Sequence, residues 1–383
     1  MTRLPATGSS RERTRGRDSR RRSVRAGTAI LLALTVFALL PAGGCAGPGY
    51  YAQAITGHLR LMHARQDAGE LIADAATDPA LAASLREARA ILEFGRDNLG
   101  LPNSDSYRQV VITGRDAVTW NVVAAPEFST VPRRWCFPVA GCVPYRGYFA
   151  RDKAEDFASR RAAHGEDVAV SPATAYSTLG WFDDPLLDTM LRYGDAELAA
   201  LLFHELAHEK LYVGGDTAFN EAYATFVAAA GVRRWAAATG RTALARQWDA
   251  RRLAMRDFNH LLAQTRDELD ELYASGLPEP DLRDRKKAVF ERMRSRYAGL
   301  VESSWGGADY FGGWMATSLN NAHLALMDQY QGGDCAFATL FKQAGADFER
   351  FHALASDRAK LPEAERAKWL KTGCDGFASG TDL

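Results

Sequence analysis

Ala196-Glu197-Leu198-Ala199-Ala200-Leu201-Leu202-Phe203-His204-Glu205-Leu206-Ala207-His208 is a run of strong helix formers with no Gly or Pro to break it. On a helix, residues four apart stand one above the other. His204 and His208 can therefore present both imidazoles to one metal ion, and Glu205 can reach a water on that ion. Leu198, Leu201, Leu202 and Phe203 make the upstream part apolar, so the imidazoles are expected over a packed interior. Gly214-Gly215 is read as the stop of this helix, and Asp216 or Thr217 as the cap of the next. Glu221 rides on that second helix and can fold back as a third ligand. Two His and a carboxylate leave one tetrahedral position open for water, as a catalytic zinc requires. A lone buried His is ordinarily a satisfied core group. The full set of His204, His208, Glu221 and Glu205 points instead to Zn²⁺ chemistry.

The 383 residues suffice for a sizeable core, and eight Trp with thirteen Tyr speak for a packed globule. The formal charge of zero averages two unlike pieces. Residues 1–44 hold nine Arg against Glu12 and Asp18, which leaves 38 basic and 45 acidic of the chain's 47 and 47 for the rest. A mildly acidic body offers no basic face for nucleic acid. The basic head has its own explanation. Arg20-Arg21-Arg22-Ser23-Val24-Arg25, an apolar run from Ala26 to Leu40 and Pro41-Ala42-Gly43-Gly44-Cys45 read as a secretory signal peptide over 1–44. Cys45 directly after Ala-Gly-Gly resembles a bacterial lipobox, in which that Cys is lipidated; a plain signal peptide or a short membrane anchor is the alternative. Four further cysteines, Cys136, Cys142, Cys335 and Cys374, suit disulfides outside the cytosol. Cys136 with Cys142 and Cys335 with Cys374 is one of three pairings open to them.

Apolar positions recurring at three and four residues predict helix over roughly 50–98, broken at Thr77-Asp78-Pro79, with Asp78 or Thr77 as the cap of the second helix. Val110–Thr113 and Val118–Val123 read as strands, with Tyr145–Phe149 as another, in a small sheet beside the metal helix. An edge of that sheet, at 118–126 or 145–149, is a candidate to pair with a substrate backbone. Residues 152–164 are expected as helix and 167–170 as strand. Tyr176–Pro185 reads as a loop able to wall a substrate pocket. Beyond Thr225 the chain is helical, with a charged hairpin at about 241–300 whose interleaved acids and bases mark solvated faces.

Trp120-Asn121-Val122, Ala125-Pro126-Glu127-Phe128, Trp135–Val143, Tyr145–Phe149, Ala175–Phe182, Phe203–His208, Phe219-Asn220-Glu221 and Leu319-Asn320-Asn321-Ala322 resemble the predicted bacterial zinc aminopeptidases. The likeness covers nearly all of the chain after Cys45. It implies an α+β, mostly helical, zincin-like metallopeptidase as a single domain over 45–383. It also implies a Gram-negative envelope lipoprotein, facing the periplasm and anchored to the outer membrane through Cys45. The metal residues are similar to the thermolysin-type pattern, in which an Asp four residues after the Glu orients a ligand His. Thr225 stands there in this chain, and Asp216 is the substitute considered.

The expected reaction is hydrolysis of a peptide or protein substrate, with His204, His208 and Glu221 on zinc and Glu205 as general base. Tyr330, on a later helix, is the candidate oxyanion donor; Tyr223, two residues past Glu221, should point away from the metal. Aminopeptidase action is the first reading. A zinc endopeptidase, and a scaffold lipoprotein with a structural metal site, are the alternatives.

Overall fold

Leu85, Ala88, Ile91, Gly95 and Leu99, three and four residues apart, form the buried stripe of a helix that supports the metal helix from below. The computed structural model describes residues 47–137, 141–174, 183–326 and 334–372. In chain order these begin with α1 (Pro48–His63), β1 (Gln66–Asp67), α2 (Ala68–Ala73) and α3 (Pro79–Leu99). Strands β2 (Gln109–Val111), β3 (Thr119–Pro126), β4 (Trp135–Phe137), β5 (Gly141–Val143) and β6 (Arg146–Tyr148) follow. Next come α4 (Arg151–Ala162), β7 (Glu166–Ala173) and β8 (Leu186–Leu187), then α5 (Asp195–Lys210) and α6 (Thr217–Ala238). The long pair α7 (Thr242–Tyr273) and α8 (Glu279–Ser303) precedes α9 (Gly312–Met315), α10 (Asn321–Leu326), α11 (Asp334–Gln343), α12 (Phe348–Ala359) and α13 (Glu363–Trp369). The class is α+β and mostly helical, as expected. No helix of the described residues is long and apolar enough to cross a membrane.

Three small sheets accompany the helices. One runs β1-β2-β8, with β2 and β8 parallel (Val110 opposite Leu186, Val111 opposite Leu187). These residues share one buried cluster with Leu202, Phe203 and Leu206, so this is the sheet packed beside the metal helix. The second runs β6-β3-β7, antiparallel throughout, and its buried residues form separate clusters (Val123 with Ala169; Val122 with Tyr148). The third is the hairpin β4-β5, where Cys136 lies opposite Cys142 and the two are bonded. Cys335 is also disulfide-bonded; Cys374 lies outside the described residues.

Two expectations are corrected here. The substrate-pairing edge at 118–126 or 145–149 is occupied. β3 is the central strand, and beyond β6 its Ala124 carbonyl accepts from Arg133 N at 2.7 Å. The outer side of β6 is closed by Gln53, whose amide donates to the Gly147 carbonyl and accepts from Phe149 N. The predicted 50–98 helix breaks at 64–67 as well as at Asp78, because Gln66 and Asp67 pair with β2 and Asp67 caps α2 through Glu70 N. Tertiary pairing there overrides helical propensity. Asp78 caps α3 as expected, with Pro79 in its first turn.

Helices α5 and α6 are buried almost all round, and their packing is tight. A Cβ on Gly231 would lie 2.8 Å from Phe203 Cδ2 and 2.8 Å from Leu99 Cδ1. Glycine at this point lets α6 lie against α5 and α3. The charged pair α7–α8 has its own core of Phe258, Leu261, Val289, Phe290 and Met293, with Glu268 bridging to Arg292 and Arg296 on the outside. It is latched to the second sheet. Lys286 Nζ reaches Asp167 at 2.5 Å, and fully buried Asn321 donates to the carbonyls of Pro126 and Glu127 and accepts from Tyr273 OH.

Tyr223 does turn away from the ligand side. Its hydroxyl donates to His352 Nδ1 at 2.8 Å, and His352 Nε2–H donates to the Leu99 carbonyl at 2.7 Å. That carbonyl can only accept, which fixes the tautomer. Burial, with a small contribution from Lys210 and against the Leu99 bond, lowers His352 to about 4. An imidazole in the unfolded chain titrates near 6.5. Between these values the unfolded state binds more protons, so stability rises with pH across that window. Taking wild type from about pH 6.5 to pH 4 is expected to remove roughly 3 kcal/mol through this group. Urea titrations at both pH values, on wild type and His352→Gln, should show this slope flattened in the variant.

Candidate metal centre

Helix α5 ends at Lys210, four residues before the glycine pair, and the short turn that follows is held by a side chain. Asn220 accepts from Val213 N at 2.8 Å and donates to the Val213 carbonyl at 2.9 Å. This two-way clamp replaces the strand-like partner that an isolated turn lacks. Asp216 caps α6 through Phe219 N, and its second oxygen takes Arg366 Nε at 2.8 Å in a nearly buried ion pair. The turn therefore enters α6 in a fixed direction, and Glu221, one residue past Asn220, is aimed back at α5.

Three side chains meet there. His204 Nε2 and His208 Nε2 are 3.1 Å apart. Glu221 Oε2 is 3.3 Å from His204 Nε2, and its Oε1 is 3.5 Å from His208 Nε2. His204, His208 and Glu221 form the one group of its kind among the described residues that could hold a metal ion. The spacing can be tested against the ion. Zinc ligands at about 2.0–2.1 Å in a tetrahedron stand roughly 3.4 Å from each other. The three observed separations bracket that length, and the donor set is the mixed nitrogen and oxygen set that zinc accepts. The residues fit the group. All three side chains are partly open, at 19, 20 and 31% exposure, so the site faces solvent on one side.

The electrostatics follow from this crowding. Burial alone would raise Glu221, yet hydrogen bonds and charge from His204 and His208 bring it down to about 2, ready to ligate as an anion. Glu205 moves the other way. Burial raises its carboxyl, Glu221 and Asp184 reinforce the shift, and the two imidazoles oppose it. A carboxylate raised toward the working pH is suited to taking and returning a proton.

His208 Nδ1 is buried with no hydrogen-bond partner among the described residues. A ligand His usually donates its second nitrogen to an orienting group. Asp216, the candidate for that part, is committed to Arg366 and the α6 cap instead, so that expectation is corrected. Tyr330 and the loop residues 175–182 lie outside the described residues. Two features escaped the sequence reading. One is the Asn220 clamp, whose only local sign is its place beside Glu221. The other is Tyr212, exposed and edge-on to the His208 ring at 6.3 Å between centroids.

The family model described as "Putative aminopeptidase" matches residues 49–370, and the chain belongs to that family. Its description points to a peptidase in general. No curated protein and no solved structure matches the chain.

Proposed function

We propose that this chain is a zinc-dependent peptidase of zincin type, acting as an aminopeptidase. The observation that carries the reading is the convergence of His204, His208 and Glu221, with separations of 3.1 to 3.5 Å, beside a half-buried Glu205. Zinc held by these three supplies Lewis acidity, which acidifies water and polarises a scissile carbonyl. The chain's own residues do the rest. Glu205 takes the proton from the attacking water and delivers it to the departing amine. Asn220 and the Asp216–Arg366 pair keep Glu221 turned toward the two imidazoles. Tyr330 is the proposed donor to the oxyanion that develops on the carbonyl.

The exopeptidase part has a direct check. Peptides with a free N-terminus should be cleaved one residue at a time, and their N-acetylated counterparts should resist. Equal cleavage of both sets would make the enzyme an endopeptidase. The address is likewise our reading: residues 1–44 direct export, and Cys45 carries the lipid that holds the domain to the envelope, facing the periplasm. Labelled fatty acid should enter the wild-type protein and not Cys45→Ser; equal labelling of the two refutes the anchor.

A further inference from the structure

A cavity of about 340 Å³ opens on the far side of the metal helix. Its floor is aliphatic, made by Leu85, Ala88 and Leu92 of α3, Leu186 of β8 and Leu206 of α5. Leu206 is two residues from His204 and two from His208. At 100° per residue it faces roughly 160° away from each. Leu206 therefore puts α5 between the cavity floor and the two imidazoles, while Tyr107 of the lining lies within electrostatic reach of Glu205.

The rim carries charges of both signs: Arg89, Arg96 and Arg108, with Asp67 and Glu93. Arg108 is held in place before any ligand arrives. Its Nε donates to the Ser104 carbonyl at 3.0 Å and its Nη2 to Asn103 Oδ1 at 2.8 Å, both neutral acceptors. The carboxylate beside it, Asp105 at 3.4 Å, is three-quarters exposed. The Arg108 side chain itself is 53% exposed, and among the described residues Nη1 has no partner, so it can donate to an anion. On α3, Glu93 gives one oxygen to Arg89 Nε at 3.0 Å, while Asp67 lies beside Arg108, opposite Gln109 in the β1–β2 pairing, with one oxygen in its cap bond from Glu70 N. Glu93 supplies the acceptor for a cation.

An anion site and a cation site over an aliphatic floor match a zwitterion with an aliphatic side chain. The volume stands at the lower end of small-ligand pockets, roughly 300–1,000 Å³, which limits the guest to an amino acid or a dipeptide. We propose that this cavity binds a free aliphatic amino acid or dipeptide. Its carboxylate sits at Arg108, its ammonium toward Glu93, and its side chain on the leucine floor. The proposal goes beyond the peptidase reading and is tested by binding alone.

Calorimetric titration of the purified protein with L-leucine, and with N-acetyl-L-leucine amide, decides it. Leucine should saturate one site, equally well with and without a chelator. The capped analogue, lacking both charges, should bind at least about tenfold more weakly. Leu92→Trp, at a partly exposed floor position, should fill the cavity and abolish binding. Arg108→Gln, on an exposed loop where misfolding is not at issue, should weaken leucine about fivefold or more. No binding at about 10 mM leucine overturns the proposal. So does equal affinity for the capped analogue, or an Arg108→Gln variant that binds as wild type. Binding abolished by the chelator would place the guest in the metal cleft and overturn it too.

Discussion

Glu205→Gln is expected to retain zinc and to lose peptide hydrolysis, by about 10²–10⁴-fold in kcat, the contribution typical of a positioned general base. The amide keeps the size and polarity of the carboxyl, so the fold is undisturbed. It cannot accept the water's proton. Because KM reports binding more than proton transfer, it should change far less than kcat. Wild-type activity should also fall on the acid side with a midpoint above that of an ordinary carboxylate. Burial raises Glu205, so its protonated, inactive form persists to higher pH. Steady-state kinetics over a pH series check both points. Unchanged kcat in the variant would remove Glu205 from the mechanism.

Removing a ligand acts one step earlier. His204→Ala and Glu221→Ala are each expected to weaken zinc binding by roughly a hundredfold or more. Losing even an outer partner of a ligand costs 10–100-fold, and losing the ligand itself cannot cost less. Stability offers a readout free of activity. At zinc a hundred times the wild-type Kd, binding adds about 2.7 kcal/mol to wild type. A variant bound a hundredfold more weakly gains only about 0.4 kcal/mol at the same concentration. Thermal unfolding with and without zinc would show a large shift for wild type and almost none for the two variants. Equal shifts in all three proteins would mean that zinc stabilises from elsewhere.

What could be read from the sequence was what depends on near neighbours. His204 and His208 meet because four residues make about one helical turn, and the run around them has nothing to break it. Asp78 and Asp216 are readable as caps for the same reason, and Cys136 faces Cys142, six positions on, across the β4–β5 hairpin. Glu221 was placed by composition and a turn, and the structure brings it to the imidazoles. What escaped depends on distant partners. Asp216 reads from the sequence as an orienting group for a ligand His, but Arg366, 150 residues further on, takes its free oxygen. The break at 64–67 exists because β2 lies more than forty residues downstream to pair with it. The stretch 118–126 reads as a substrate edge, since nothing local reveals that β6 and β7 flank it. Asn321 carries no local sign that its amide bridges the carbonyls of Pro126 and Glu127.

X-ray absorption at the zinc edge, on protein loaded with one equivalent of zinc, tests the central claim most directly. The expected spectrum has two imidazole nitrogens and light oxygen donors at about 2.0–2.1 Å, with no sulfur, and loses one imidazole in His208→Ala. A spectrum with sulfur near 2.3 Å, or one that His208→Ala leaves unchanged, would contradict it.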